Sequence, residues 1–202
     1  MSDIPASPEQ LAAWLTQGAR GDEAACAALY YAFSPSVMHL ALGMLNDLAD
    51  AEEVTQDTFI YALRNLGRFD PSRSAFRTWL FTIAISRCRN KRRRKWLVLL
   101  PLEWLGQEAP GTPERAVEQA LARRGVRRQV WETLQGLSPR LREAMVLRFF
   151  AGLTYREMGQ AMGCNPKTAE SRVQLGLAAM RRALLQSGLE TEVEWAEFLA
   201  GG

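Results

Sequence analysis

The stretch GLTYREMGQAMGCNPKTAESRVQ, running from Gly152 to Gln174, decides how the chain folds. Thr154, followed three residues later by Glu157, forms a capping box that opens a short helix predicted to reach Met162. Gly163-Cys164-Asn165 makes a tight turn, with Asn165 as cap and Pro166 as the first residue of a final long helix. Helix, turn and helix in that order are the sequence form of a DNA-reading motif, whose second helix offers its N-terminal half to the major groove. Ala169, Val173 and Gly176, spaced four and three apart, fit the inward face of that helix. Lys167, Glu170, Ser171, Arg172 and Gln174 then fall outward or at its edges. Gln pairs with adenine, Glu accepts from cytosine, and Arg grips guanine or phosphate. A generic helical hairpin would explain the periodicity alone. Thr154, Glu157, Gly163, Asn165 and the small inward residues together favour the DNA reading.

Working outward, Ser138-Pro139 starts a helix to Phe150 that Gly152 ends, and Thr112-Pro113 starts another to about Gln135. Residues 96–113 (WLVLLPLEWLGQEAPGTP) break the helical pattern with three prolines and two glycines, so the interdomain linker belongs there. Fully extended, such a linker spans at most roughly 60 Å. Its apolar residues Trp96, Leu97, Leu99 and Leu100 fit either packing onto a domain or contact with a hydrophobic partner. The expectation is of two tethered helical readers, held far enough apart to grip separate stretches of DNA at once.

The N-terminal half is also read as helix throughout. Ser7-Pro8 opens a first helix fading near Gly18 to Gly21, Asp22 caps a second to about Phe33, and Ser34-Pro35 opens a third to Leu45. Asp47 or Asp50 starts the next, ending near Leu66-Gly67, with Ala51, Val54, Thr58, Ala62 and Leu66 as its buried stripe. Glu53 and Asp57 lie one turn apart on another face, where like charges slightly disfavour the isolated helix. That suits a basic protein partner, or simply a soluble face. After the loop GRFDPSRS comes a long helix from about Ala75 to Arg94. From Arg87 to Lys95, seven of nine residues are Lys or Arg. This run is either a solvated tail or a phosphate-binding surface whose affinity falls steeply with salt. Trp79 and Phe81 suit the core more readily than base stacking.

Composition sets the outer limits. The 202 residues suit two small domains, and 48% hydrophobic content is enough for packed cores. No apolar stretch in the sequence approaches the roughly 20 residues of a membrane span, and Met1 to Pro8 lacks the form of a secretion signal. The chain is therefore expected in the cytoplasm, with no membrane insertion. Cys26, Cys88 and Cys164 lack zinc-ligand spacing, and His39 is the single histidine, in an apolar helical stretch. With no metal site, no cofactor motif and no catalytic constellation, the chain is not expected to be an enzyme. The last fifteen residues carry Glu190, Glu192, Glu194 and Glu197 without a basic residue, an acidic tail. Leu189, Val193, Ala196 and Leu199 could line one side of a short helix within it, for packing or for covering a basic DNA face.

Several segments now resemble one known family. Asp50-Ala-Glu-Glu-Val-Thr-Gln-Asp-Thr-Phe59, Arg68-Phe-Asp-Pro71 and Phe76-Arg-Thr-Trp-Leu80 are similar to the second conserved region of extracytoplasmic-function sigma factors. Leu137-Ser-Pro-Arg140, Gly152 to Glu157 and Ser171-Arg172 resemble that family's fourth region. The resemblance implies an all-α chain of two small helical domains joined by a flexible linker, the C-terminal one a helix-turn-helix. Residues 1–95 would form the region 2 domain, 96–113 the linker, 114–186 the region 4 domain and 187–202 the acidic tail. It further implies a dissociable subunit of core RNA polymerase that recognises −35 and −10 promoter elements and melts DNA, serving a stress or envelope-response regulon. Asp50, Glu52, Glu53, Gln56 and Asp57 would dock on the clamp of the largest catalytic subunit. Arg68, Phe69, Asp70, Ser72, Arg73, Ser74, Arg77, Arg87, Asn90 and Lys91 would hold the −10 element, including the exposed non-template strand. Asn165, Lys167, Glu170, Ser171, Arg172 and Gln174 would read duplex DNA at −35, although Glu170, Leu175 and Leu177 stand where many relatives carry basic residues. An anti-sigma factor is a further implied partner. The residues alone leave two rivals: a stand-alone helix-turn-helix regulator, and an adaptor whose basic helix meets an acidic protein.

Overall fold

A computed structural model describes residues 7–98 and 128–186, and every regular element among them is helical. Helix α1 (Pro8–Ala19) begins where the Ser7 side chain accepts from the Gln10 amide at 3.2 Å. Asp22 caps α2 (Glu23–Leu45) through the Ala25 amide at 2.7 Å, and Asp47 caps α3 (Leu48–Arg64) through that of Asp50 at 2.9 Å. A 3₁₀ turn (Leu66–Arg68) and a short loop lead into α4 (Phe76–Val98), which extends past the expected end at Arg94. In the C-terminal half, α5 covers residues 128–136, and α6 (Pro139–Met145) widens into a π turn (Val146–Phe150). Helices α7 (Tyr155–Met162) and α8 (Pro166–Gln186) follow. The tail from residue 187 and the linker from residue 99 lie outside the described residues, as do the side chains of Trp96 and Leu97.

One expected break is absent. Ser34-Pro35 does not start a new helix, because α2 runs unbroken through Pro35. An interior proline costs about 3 kcal/mol through a lost hydrogen bond and a ring clash. Here the ring is exposed, while Leu29, Phe33, Val37 and Leu40 form one buried stripe on either side of it. Breaking the helix would take half of that stripe out of the core, which costs more. By length and composition α2 could cross a membrane, contrary to the sequence expectation. Its apolarity is instead used as the central helix of the N-terminal bundle, packed on α1, α3 and α4. The predicted stripe, Ala51, Val54, Thr58 and Ala62 of α3 with Leu66 of the following 3₁₀ turn, is buried in full.

The two halves do not stand apart. Their buried residues form one contiguous cluster from Leu29 to Leu184, so the two helical domains pack on each other, a point the sequence left open. The cause lies in five successive buried residues, Glu143 to Leu147. Successive helical residues point about 100° apart, so such a run needs neighbours on every side. The C-terminal half supplies one side: Gly176 of α8 lies where an added Cβ would stand 2.8 Å from Met145. The N-terminal half supplies the other: a Cβ on Gly43 would stand 2.9 Å from Val146 Cγ2. Polar contacts flank this seam. Trp131 Nε1 donates to Asn46 Oδ1 at 2.7 Å, and Gln135 Nε2 donates to the Gly43 carbonyl at 3.2 Å.

Candidate nucleic-acid interface

Helix α8 is built to show one face. Asn165 caps it by accepting from the Thr168 amide at 2.7 Å, and Gly163, with φ +66°, turns the chain out of α7. Ala169, Val173 and Gly176 are buried, as their spacing predicted. Asn165, Lys167, Glu170, Ser171 and Gln174 are exposed around the opposite face. Arg172 is half-buried, its guanidinium 3.7 Å from the Cys164 sulfur, so it braces the turn as well as bordering the outer face. The sequence reading did not single out Gly159, yet a Cβ there would meet the Cys164 carbonyl at 2.8 Å. Its position in mid-α7, where Gly is costly, is the signal that close backbone approach was needed.

A second surface lies in the N-terminal half. Arg68, Asp70, Arg73, Ser74, Thr78, Trp79 and Thr82 line a groove, and Gln160 of the C-terminal half closes one of its edges. Asp70 accepts from the Ser72 hydroxyl at 2.7 Å and the Ser72 amide at 2.9 Å. Those bonds hold its carboxyl below the usual range and fix the loop. Phe69 packs on Phe76 and Trp79, each at a centroid distance of 5.4 Å. Phe81 is fully buried, as expected of core, whereas Trp79 is half-buried on the groove wall. Arg77 lies 5.2 Å over the Phe81 ring, half-buried and facing Glu157.

The basic run of α4 is divided among neighbours. Arg87 stacks on Tyr61 at 5.2 Å. Arg89 makes a two-pronged bond with the buried Glu143 carboxylate, at 2.5 and 3.1 Å, and donates to the Met162 carbonyl at 3.3 Å. Lys91 is bonded to Glu53 and lies 3.3 Å from Asp50, contacts that push its pKa up. Asn90, Arg93 and Arg94 are exposed. The structure thus joins Lys91, expected near DNA, to Asp50 and Glu53, expected on the polymerase face.

On α3, Glu52, Glu53, Gln56 and Asp57 form an exposed acidic face, from which Asp50 is withdrawn by burial. Ile60 and Tyr61, at 51% and 41% exposure, continue that face one turn on. The sequence reading passed over both, though their spacing from Glu53 and Asp57 put them on the same side. A shallow groove beside Glu52 and Gln56 is lined by Tyr30, Pro35 and Met38. His39 is exposed, and burial drives the Cys88 thiol up to about 12, so it is no nucleophile. No cluster able to hold a metal ion occurs among the described residues.

Comparison with known proteins follows this division. Residues 29–98 match sigma-70 region 2, and residues 127–180 match sigma-70 region 4. The extracytoplasmic-function RNA polymerase sigma factor SigK of Mycolicibacterium vanbaalenii is 30% identical over 181 residues, covering 90% of this chain and 92% of the relative. The RNA polymerase sigma-H factor of Pseudomonas aeruginosa is 31% identical over 172 residues, covering 82% and 89%. Among solved structures, CnrH in complex with the cytosolic domain of CnrY has a TM-score of 0.64 at 27% identity, covering 87% of this chain and 96% of that one. The sigma factor RpoE bound to the anti-sigma factor NepR, from Bartonella quintana, has a TM-score of 0.61 at 24% identity, covering 75% and 91%, and bears on the fold alone.

Proposed function

The chain belongs to the sigma-70 family, in its extracytoplasmic-function group, and from that premise we propose which of its surfaces does which part of the work. It is a transcription initiation factor, without catalysis of its own, that binds core RNA polymerase and recognises promoter DNA. Residues 1–95 serve polymerase docking and the −10 element, and residues 114–186 serve the −35 element. Asn165, Lys167, Glu170, Ser171, Arg172 and Gln174 read −35 duplex. The observation that carries this assignment is the inward burial of Ala169, Val173 and Gly176, which leaves the polar side of α8 to face a groove. The loop Arg68–Ser74, with Arg77 and Trp79, captures non-template bases of the −10 element. Stacking on an aromatic ring contributes about 1–3 kcal/mol per base, which drives melting without chemistry.

Glu52, Glu53, Gln56 and Asp57, with Ile60 and Tyr61, dock on the polymerase clamp. Opposite charges there steer the encounter, and the apolar pair gives the contact a dry centre. The chain acts in the cytoplasm, on stress or envelope-response genes, and is held in reserve by an anti-sigma partner. The direct test is promoter-specific transcription with purified core polymerase, with and without the chain. Glu52→Lys with Asp57→Lys spares the Lys91 contacts and should weaken holoenzyme assembly at least about tenfold, since like-charge juxtaposition costs several kcal/mol. Normal assembly by the double variant would remove the docking face.

A further inference from the structure

Two cations of α4 are lodged on residues of the acidic α3 face. Arg87 lies 5.2 Å over the ring of Tyr61, and Lys91 bonds Glu53 and lies 3.3 Å from Asp50. Four residues apart, these two cations share one side of α4, whereas Arg89, between them in sequence, points to Glu143. Glu53 and Tyr61 stand about two turns apart on α3, on the same side as Asp57. The partners of Lys91 differ in how easily they are taken away. The Asp50 side chain is 12% exposed and stays behind it, while that of Glu53 is 55% exposed. Tyr61, beneath Arg87, is 41% exposed. A basic group arriving on this face therefore meets the same carboxylate and the same ring that hold the two cations.

Resting on the docking face proposed above and on the reading of α4 as a −10 surface, we propose that Glu53 and Tyr61 couple polymerase docking to promoter capture. A basic clamp that takes these two residues releases Lys91 and Arg87 to the phosphates of the −10 strand. An ammonium has three donors, so Lys91, with Asp50 still behind it, turns the donor given up by Glu53 to a phosphate. The guanidinium of Arg87 leaves the ring as a fork of N–H groups that matches phosphate oxygens. Exposed ion pairs and cation–π contacts are weak, which is why arriving groups can displace them. The coupling is reciprocal, because a strand that takes Lys91 and Arg87 bares Glu53 and Tyr61 for the clamp.

Charge-matched substitutions separate this exchange from general electrostatics. Glu53→Gln and Tyr61→Leu each release one cation. Either full-length variant should bind a fluorescein-labelled, mixed-sequence single-stranded 20-mer roughly two- to fivefold tighter than the parent, the range for one weak pair. The log–log salt slope should steepen by about 0.7, the value for one added phosphate contact. Glu23→Gln, the same charge change on an exposed residue of α2, should leave the slope alone, and Tyr61→Phe, which keeps the ring, should match the parent. In the other direction, Lys91→Gln should bind core polymerase about two- to fivefold tighter than Arg93→Gln, which removes equal charge from an exposed residue. A parental slope in both Glu53→Gln and Tyr61→Leu, or equal core affinity for Lys91→Gln and Arg93→Gln, would overturn the coupling. Failure of the docking face looks different: Glu52→Lys with Asp57→Lys would then assemble normally, whatever the strand slopes show.

Discussion

Helices α4 and α8 both carry polar and basic residues on one side and core residues on the other, yet they meet opposite fates in the folded chain. The outward side of α8 is exposed along Lys167, Glu170, Ser171 and Gln174. Four of the eight cations on α4 are engaged: Arg77 lies over the Phe81 ring, Arg87 covers Tyr61, Arg89 holds Glu143, and Lys91 holds Glu53 and Asp50. A basic helix is therefore a statement about charge and not about availability, which depends on what packs across from it.

The most severe way to break the contrast is to hollow out the turn on which both halves lean. Leu147 is fully buried, and Leu147→Ala should cost about 2–5 kcal/mol of stability through lost burial and the cavity left behind. In urea unfolding the loss should fall on the C-terminal half, because α1 to α4 also pack on one another through contacts lined by Tyr30, Phe33, Phe59 and Phe76. Duplex binding through α8 should drop with it, while single-strand binding through α4 persists. Equal loss of both activities would mean that the halves fold as one unit and that the contrast between the helices has no functional content.

A milder pair of substitutions sharpens the contrast. Gln174→Ala should remove about 1–3 kcal/mol of discrimination at one −35 base pair, read by competition between duplexes. Arg68→Ala should leave that discrimination alone and reduce the salt dependence of single-strand binding by about 0.7 in log–log slope, the value for one lost phosphate contact. A change in −35 preference from Arg68→Ala would put both surfaces on one stretch of DNA.

What could be read in the sequence follows from the range over which the signals act. Ser7, Asp22, Asp47, Thr154 and Asn165 bond amides three residues away; four of these caps were legible from their own segments, and the structure decides for Asp47 where the sequence left Asp47 or Asp50. The inward face of α8 and the buried stripe of α3 were legible from periodicity. Pro35 misled because its local cost is overruled by packing on Leu29, Phe33, Val37 and Leu40, residues gathered by the whole bundle. The seam was hidden for the same reason, since Arg89 and Glu143 lie 54 positions apart. One local clue existed: Ala144-Met-Val-Leu147 is too apolar on all sides for an amphipathic surface helix. Trp79 was read as core and proves half-buried on the groove wall, because a groove wall and a core face share the same helical spacing.

The finest distinction concerns Glu157, which serves two masters. Its Oε2 accepts from the Thr154 amide at 2.8 Å and hydroxyl at 2.6 Å, closing the capping box of α7, while Oε1 accepts from Thr78 across the seam. Burial alone would raise its pKa, but the Thr154 bonds, Thr78 and Arg77 outweigh burial and depress it. A depressed carboxylate stabilises the folded form above its unfolded value near 4.5, and that contribution disappears as pH falls through the lower folded value. Thr154→Ala removes the cap and should cost about 1 kcal/mol, or roughly 2–4 °C in melting temperature, at neutral pH. Glu157→Gln retains an acceptor for the Thr154 amide, since Gln also completes a capping box, but abolishes the charge facing Arg77. It should melt closer to the parent than Thr154→Ala does, and it should lose the acid-side decline due to this carboxyl. If the two variants melt alike at neutral pH and through the acid range, Glu157 acts only as the cap of α7 and its bond to Thr78 adds nothing across the seam.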